Sequence, residues 1–331
     1  MNIDNEQSAF SNLGPDEVLD AVEAAGWRGD GHLLALNSYE NRVYQVGLED
    51  GGFVVAKFYR PGRWSDEAIL EEHIFSQELV ENEIPVIAPQ VSENGSTLFH
   101  HGPFRLAVFE RRGGRPPELD NSDHLEQLGR FIARIHLVGE CQSFAHRPTL
   151  DIDSFGISSY QHLLENGHVP QEMELSYRTL AEDLIKRIEA CYERAGEIKH
   201  LRMHGDAHSG NILWTDLGPH FVDLDDARCG PAIQDLWMFL SGNRKEMNEV
   251  LMDVLDGYTR FREFEPRELH LVEALRTLRM MHFVAWVARR WHDPAFPKAF
   301  PWFGERRFWD DHILALREQS ALLDEPPLVW D

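Results

Sequence analysis

"LRMHGDAHSGNILW", residues 201–214, places His204, Asp206, His208 and Asn211 in a Gly-punctuated run between apolar residues. His204, Asp206 and His208 alternate, as metal ligands on a strand would. No HExxH helix accompanies them, and no third histidine stands at a familiar zinc spacing, so a zinc site is the weaker possibility. Asp206 and Asn211 offer a different chemistry. They stand five residues apart, and Asp223 follows after a hairpin pattern formed by "NILW", the turn "TDLGP" and "HFVDLD". Phosphoryl transfer from a nucleotide needs a carboxylate beside the incoming hydroxyl and hard oxygen ligands for Mg²⁺; Asp, Asn and Asp in this order supply both. A polar hairpin with solvated carboxylates would leave that order to chance.

Upstream, "RVYQVGLEDGGFVVAKFYRP" (42–61) reads as two alternating strands joined by a Gly-rich turn. In its second run Phe53, Val55, Lys57 and Tyr59 share one face, and Val54, Ala56 and Phe58 share the other. Lys57 thus sits inside an apolar element, where its charge needs a partner. The alternative is an edge strand with Lys57 turned to solvent. "SDEAILEEHIFSQELVENEIP" (65–85) has helical spacing, Ser65 as N-cap and Pro85 beyond its end. Another helix is expected over "PDEVLDAVEAAG" (15–26), and further strands at "STLFHH" and "FRLAVFE". After the loop "RRGGRPPELDN" (111–121) the pattern turns helical, with "PAIQDLWMFLSG" and "ELHLVEALRTLRMMHFVAWVARRW" among the helical runs. Both chain ends are expected to be loosely held.

The 331 residues allow one large domain or two lobes around a cleft. A formal net charge of −24 argues against nucleic acid and anionic membranes as partners. It leaves room for a phosphate ligand held by metal ions and a few basic groups. The three cysteines form no CxxC pair, which fits a reducing compartment. The acidic N-terminus is unlike a signal peptide, so a cytoplasmic, monomeric protein is expected.

"HGDAHSGNILW", "FVDLDDA" and "GPAIQDLW" together resemble the aminoglycoside phosphotransferase/choline kinase family, which carries H-G-D-x-H-x-x-N where protein kinases carry H-R-D-x-x-x-x-N. Longer segments, among them "LNSYENRVYQV", "VVAKFYRPGRWS" and "DPAFPKAFPW", resemble a bacterial branch of it that phosphorylates proteins. The resemblance implies an α+β, bilobal protein-kinase-like fold. Residues 1–110 would form an ATP-binding lobe of antiparallel sheet and one crossing helix. Residues 111–331 would form a mainly helical lobe with the catalytic loop, the Mg site and the acceptor-binding helices.

It further implies that Asp206 accepts the acceptor's hydroxyl proton, that Asn211 and Asp223 hold Mg²⁺, and that Lys57 holds the α- and β-phosphates of ATP. Lys57 would pair with Glu72, or with the adjacent Glu71, and Ser38 would approach the phosphates from a turn lacking the usual glycines. Adenine would bond the backbone near Phe109 and Glu110, and Asp235 would brace the catalytic loop. The implied reaction moves the γ-phosphate of ATP to Ser/Thr hydroxyls of proteins, the chain itself included, in a bacterial stress response. The alternative acceptor is a choline-like or aminoglycoside-like alcohol, for which Trp237, Trp286, Trp291 and Trp302 could wall a cation. A non-catalytic nucleotide-binding module, or a metal hydrolase, stands outside both.

Overall fold

In the computed structural model, which describes residues 9–330, Lys57 lies on the middle strand of a sheet. Helix α1 (Pro15–Ala24) precedes strands β1 (Gly29–Leu36), β2 (Arg42–Leu48) and β3 (Phe53–Phe58). Helix α2 (Asp66–Glu81) then crosses to β4 (Phe99–His101) and β5 (Phe104–Glu110). The strand order is β1-β2-β3-β5-β4, antiparallel throughout, so Lys57 is not on an edge. The pleat sorts β3 as its sequence alternates. Val54, Ala56 and Phe58 pack with Val18 and Val22 of α1, while Lys57 faces the other way, toward α2. Ser65 caps α2, its hydroxyl accepting from the Ala68 amide at 3.2 Å.

The second lobe contains α3 (Ser122–Gly139), α4 (Ser158–Glu165), α5 (Glu174–Ala195), α6 (Gln234–Trp237), α7 (Arg244–Tyr258), α8 (Val272–Arg289), α9 (Ala295–Ala299) and α10 (Arg306–Leu322). Its β island consists of two antiparallel ribbons. Strand β6 (Leu201–Met203) pairs with β9 (Arg228–Gly230), and β7 (Ile212–Thr215) pairs with β8 (Gly218–Phe221). Asn121 caps α3 through the amides of Asp123 and His124, and a capping box formed by Asn243 and Glu246 opens α7.

Three expectations differ from the structure. "PAIQDLWMFLSG" forms only the single turn α6, because Glu268 Oε2 takes the Ile233 amide at 2.8 Å and the chain turns at Gly242, with φ of 87°. The C-terminal segment is docked, not loose: Leu328 is buried and the Trp330 ring packs edge-on against Phe264 at 6.0 Å. Its two apolar side chains outweigh the prolines and acids around them. Asp223 lies two residues beyond β8, not on it, with φ 60° and ψ 65°. At the N-terminus the expectation of looseness falls largely on residues outside those described. Among the described residues no helix is long and apolar enough to cross a membrane.

Helices α3 and α7 touch through backbone at two glycines. A Cβ on Gly129 would stand 1.9 Å from the Val254 carbonyl, and one on Gly257 would stand 2.0 Å from the Glu126 carbonyl. Gly129→Ala is therefore expected to cost about 1–3 kcal/mol or more, by forcing the helices apart. Urea denaturation measures it, and an unchanged midpoint would contradict the close crossing.

Candidate active site

The two ribbons pin both chemistry-bearing loops. Met203 opposite Arg228 and Ile212 opposite Phe221 fix the ends of residues 204–211 and 222–227. The Val222 amide donates to the Asn211 carbonyl at 3.0 Å, which brings Asn211 beside Asp223. Asn211 Nδ2 donates to the Asp206 carbonyl at 3.0 Å and to its Oδ2 at 3.3 Å, leaving the amide oxygen of Asn211 outside that contact. Gly205 bends the loop with φ of 80°, and a Cβ there would meet the Asp226 carbonyl at 2.3 Å, so only glycine fits.

Asp235, the second residue of α6, braces this loop. Its carboxylate accepts from the amides of His204 at 2.9 Å and Gly205 at 2.8 Å, and lies 3.2 Å from His136 Nε2. Burial would push the Asp235 carboxyl up, but these hydrogen bonds hold it below the usual range. The histidines that first suggest zinc are otherwise engaged. His204 Nε2 bonds the Val222 carbonyl at 3.0 Å, and His208 Nδ1 takes the Gly210 amide at 2.9 Å. Among the described residues no three His, Cys, Asp or Glu side chains cluster as a metal site.

Lys57 makes no ion pair within 4 Å with Glu72, the partner that the resemblance implied. Its Nζ lies 2.8 Å from Asp223 Oδ1 and 3.4 Å from Asp225 Oδ1. Burial alone would lower the Lys57 pKa; the carboxylates of Asp223 and Asp225 outweigh it and raise the value well above normal. Glu72 is buried nearby and faces Arg147, with Nη1 to Oε2 at 3.7 Å. Burial pushes Glu72 up to about 7 despite Lys57 and Arg147. Glu71 points elsewhere and accepts from the amides of Ala145 at 2.6 Å, His146 at 2.8 Å and Arg147 at 3.0 Å, tying α2 to the helical lobe. Asp223 and Asp225 take the ion-pair positions on Lys57, while Glu72 acts on it from beyond ion-pair distance.

Asp225 is the residue that the sequence reading missed. It is buried and also accepts from Asn41 Nδ2 at 3.0 Å and from Arg63. The signal is the triple acid of "DLDD", which needs cations packed against it; Lys57, Arg63 and Arg228 supply them. Ser38 is half-buried in the turn between β1 and β2. That turn is held by side chains where a glycine loop would use backbone. Glu40 bonds Arg290 at 2.7 Å, Arg60 at 3.1 Å and the Trp286 indole at 2.5 Å, and Tyr39 packs on Phe300 at 5.0 Å.

The register completes a roof. Leu36, Val43, Lys57 and Ala107 form one cross-strand row, and Leu34, Gln45, Val55 and Phe109 form a parallel row two residues on. Leu34 and Leu36, both exposed, therefore share the face of Lys57 and offer an apolar surface to a flat ring. Phe109 pairs with Val55 on one side and Pro89 on the other, so its backbone is engaged, and the chain leaves the sheet after Glu110.

Two predictions follow from these contacts. Asp235→Asn replaces one acceptor oxygen with a donor and strands the His204 or Gly205 amide; a loss of about 1–3 kcal/mol is expected in thermal denaturation. For Glu72 the folded value near 7 lies above the ordinary 4.5, so the native state holds the extra proton between them and stability falls as pH rises through that window. Glu72→Gln removes this fall. The stability difference between variant and wild type should shift toward the variant by up to about 3 kcal/mol from pH 4.5 to 7, and a pH-independent difference would contradict it.

Comparison with known proteins agrees with this geometry. The chain is 44% identical to stress response kinase A of Escherichia coli strain K12 over 326 residues, covering 98% of each chain. It is 42% identical to the serine/threonine protein kinase RdoA of Salmonella typhimurium strain LT2, covering 96% of each. Among solved structures, the amicoumacin kinase hAmiN, in complex with AMP-PNP, Ca²⁺ and amicoumacin, superposes with a TM-score of 0.73 at 19% identity, over 99% of this chain and 98% of the other. Residues 32–275 match the APH family model. With the kinase-like sheet, the pinned catalytic loop and that match in hand, the chain belongs to the phosphotransferase enzyme family, whose co-substrate is ATP.

Proposed function

We propose that this protein transfers the γ-phosphate of Mg²⁺-bound ATP to Ser or Thr hydroxyls of proteins, itself included, as part of a bacterial stress response. One observation carries the chemistry: Asp206, Asn211, Asp223 and Lys57, drawn from both lobes, meet in one cleft under an apolar roof. The substrate class rests on the named kinase relatives and on the aromatic side chains. Arg290 lies over the Trp286 ring at 5.3 Å and Arg276 over Trp237 at 5.3 Å. Trp291 packs on Phe303 at 4.8 Å and Trp302 on Phe308 at 4.6 Å. These four rings serve as packing and as seats for the protein's own arginines, which argues against a choline-type cage.

The donor set suits Mg²⁺. Asn211 contributes an amide oxygen and Asp223 a carboxylate with an exposed side chain, 53% accessible, and Mg²⁺ takes few protein ligands while keeping waters and phosphate oxygens. Bound there, Mg²⁺ would neutralise charge on the phosphate oxygens. Lys57 would exchange Asp223 for the α- and β-phosphates while Asp225 keeps it oriented. Leu34 and Leu36 would cover the adenine, and Ser38 would lie beside the phosphates. Asp206 would accept the proton as the acceptor oxygen bonds to the γ-phosphorus and the bridging bond to ADP breaks.

Asp206→Asn should lower turnover by about 10²–10⁴-fold and leave nucleotide affinity near wild type. Retained turnover would contradict its role as base. Asp223→Ala should lose about tenfold or more of ATP affinity in Mg²⁺ and little in EDTA, measured by calorimetric titration; equal affinity in Mg²⁺ would contradict metal binding there.

A further inference from the structure

The two oxygens of the Asp206 carboxylate are held differently. Oδ2 takes the Asn211 amide from its own loop, at 3.3 Å. Oδ1 takes Arg279 Nη1 at 2.5 Å, from helix α8. A hydroxyl that gives its proton to Asp206 needs an oxygen within hydrogen-bond reach, and Oδ1 is the one with no partner from the loop itself. Arg279 stands on it. The Arg279 side chain is 42% exposed and that of Asp206 21%, so the pair faces the cleft, where a seated partner can exchange with one of its members.

The position of α8 shows what could displace Arg279. Residues 279, 283 and 286 fall on one stripe of the helix at i, i+4 and i+7, and Arg290, its C-cap, follows at the end of that stripe. The first holds the catalytic-loop carboxylate, while Trp286 and Arg290 hold Glu40 of the phosphate turn. Phe283, between them, is 43% exposed. The stripe thus runs along the cleft from the proton acceptor to the phosphate-binding turn. An acceptor seated along α8 meets Arg279 before it meets Asp206. A lone water makes no such contact with the helix.

We propose that Arg279 is a positioning residue that guards the base, holding Asp206 Oδ1 until a seated acceptor hydroxyl takes its place. The proposal rests on Asp206 being the proton acceptor. Unguarded, Asp206 would take a proton from water as the water oxygen bonds to the γ-phosphorus, the bridging bond breaks, and ADP and inorganic phosphate leave. With Arg279 in place that hydrolysis is suppressed, and the same sequence of bonds runs only with the acceptor hydroxyl.

The test uses the full chain with Mg²⁺ and ATP, measuring inorganic phosphate release without acceptor and phosphate transferred to dephosphorylated casein. Arg279→Met should raise acceptor-free hydrolysis by about tenfold or more and lower the fraction of consumed ATP that ends on casein, with the KM for ATP unchanged. Arg279→Lys, which keeps a cation, should restore most of the coupling. An unchanged ratio of hydrolysis to transfer in Arg279→Met would overturn the proposal, including the case where both rates fall together. A wild-type chain that transfers phosphate while this ratio stays fixed sinks the guard alone. A wild-type chain that neither hydrolyses nor transfers sinks the phosphotransfer reading and the guard with it.

Discussion

The buried ammonium of Lys57 is the constraint on which the rest of the arrangement depends. A cation inside a sheet must be neutralised where it stands, because removing one partner of a buried pair leaves an uncompensated charge. Here the compensation comes from the other lobe, through Asp223 at 2.8 Å and Asp225 at 3.4 Å. Asp225 in turn takes Asn41 from the phosphate turn and Arg63 from the segment before α2. The Arg147 guanidinium reaches the backbone of the loop that carries Asp223 and Asp225, at the Ala227 carbonyl, 2.7 Å away. The relative placement of the lobes is thereby a matter of matching buried charges, and the cleft between them inherits that geometry.

The same economy explains the phosphate turn without glycine. A glycine loop shapes itself around phosphates through backbone freedom. This turn is instead fixed from outside, by Glu40 against Arg60 and Arg290 and by Tyr39 against Phe300. Helix α8 contributes to both ends of the cleft, which makes it the mechanical link between phosphate turn and catalytic loop. No activation segment of the A-P-E type is present in the sequence; on the proposed reading, the contact of Arg279 with Asp206 is where control of the base would reside.

What the sequence made legible was local. The alternation around Lys57 and the capped helix beginning at Ser65 follow from short-range pattern and are where the pattern put them; the hairpin after Asn211 forms, but its second strand, β8, ends at Phe221, short of the expected Asp223. Long-range pairing was not legible. Lys57 and Asp223 are 166 residues apart, and Arg279 and Asp206 are 73 apart; no periodicity reports that such groups meet. Likeness to the kinase family points to Glu72 as the partner of Lys57. In the structure the extra acid at position 225 and the arginine at 147 redistribute the pairs. The left-handed backbone of Asp223 was hidden for a related reason: the alternation of β8 runs up to it, and only the packing of "DLDD" under Lys57 and Arg63 shows that the strand ends first.

The account's central claim is that this cleft phosphorylates protein hydroxyls. It is tested most directly by incubating the full chain with Mg²⁺ and γ-labelled ATP while offering dephosphorylated casein together with choline, ethanolamine and an aminoglycoside. Label on serine and threonine of protein, absent in EDTA and absent from the small alcohols, is the predicted result. Label on a small alcohol with none on protein would contradict it.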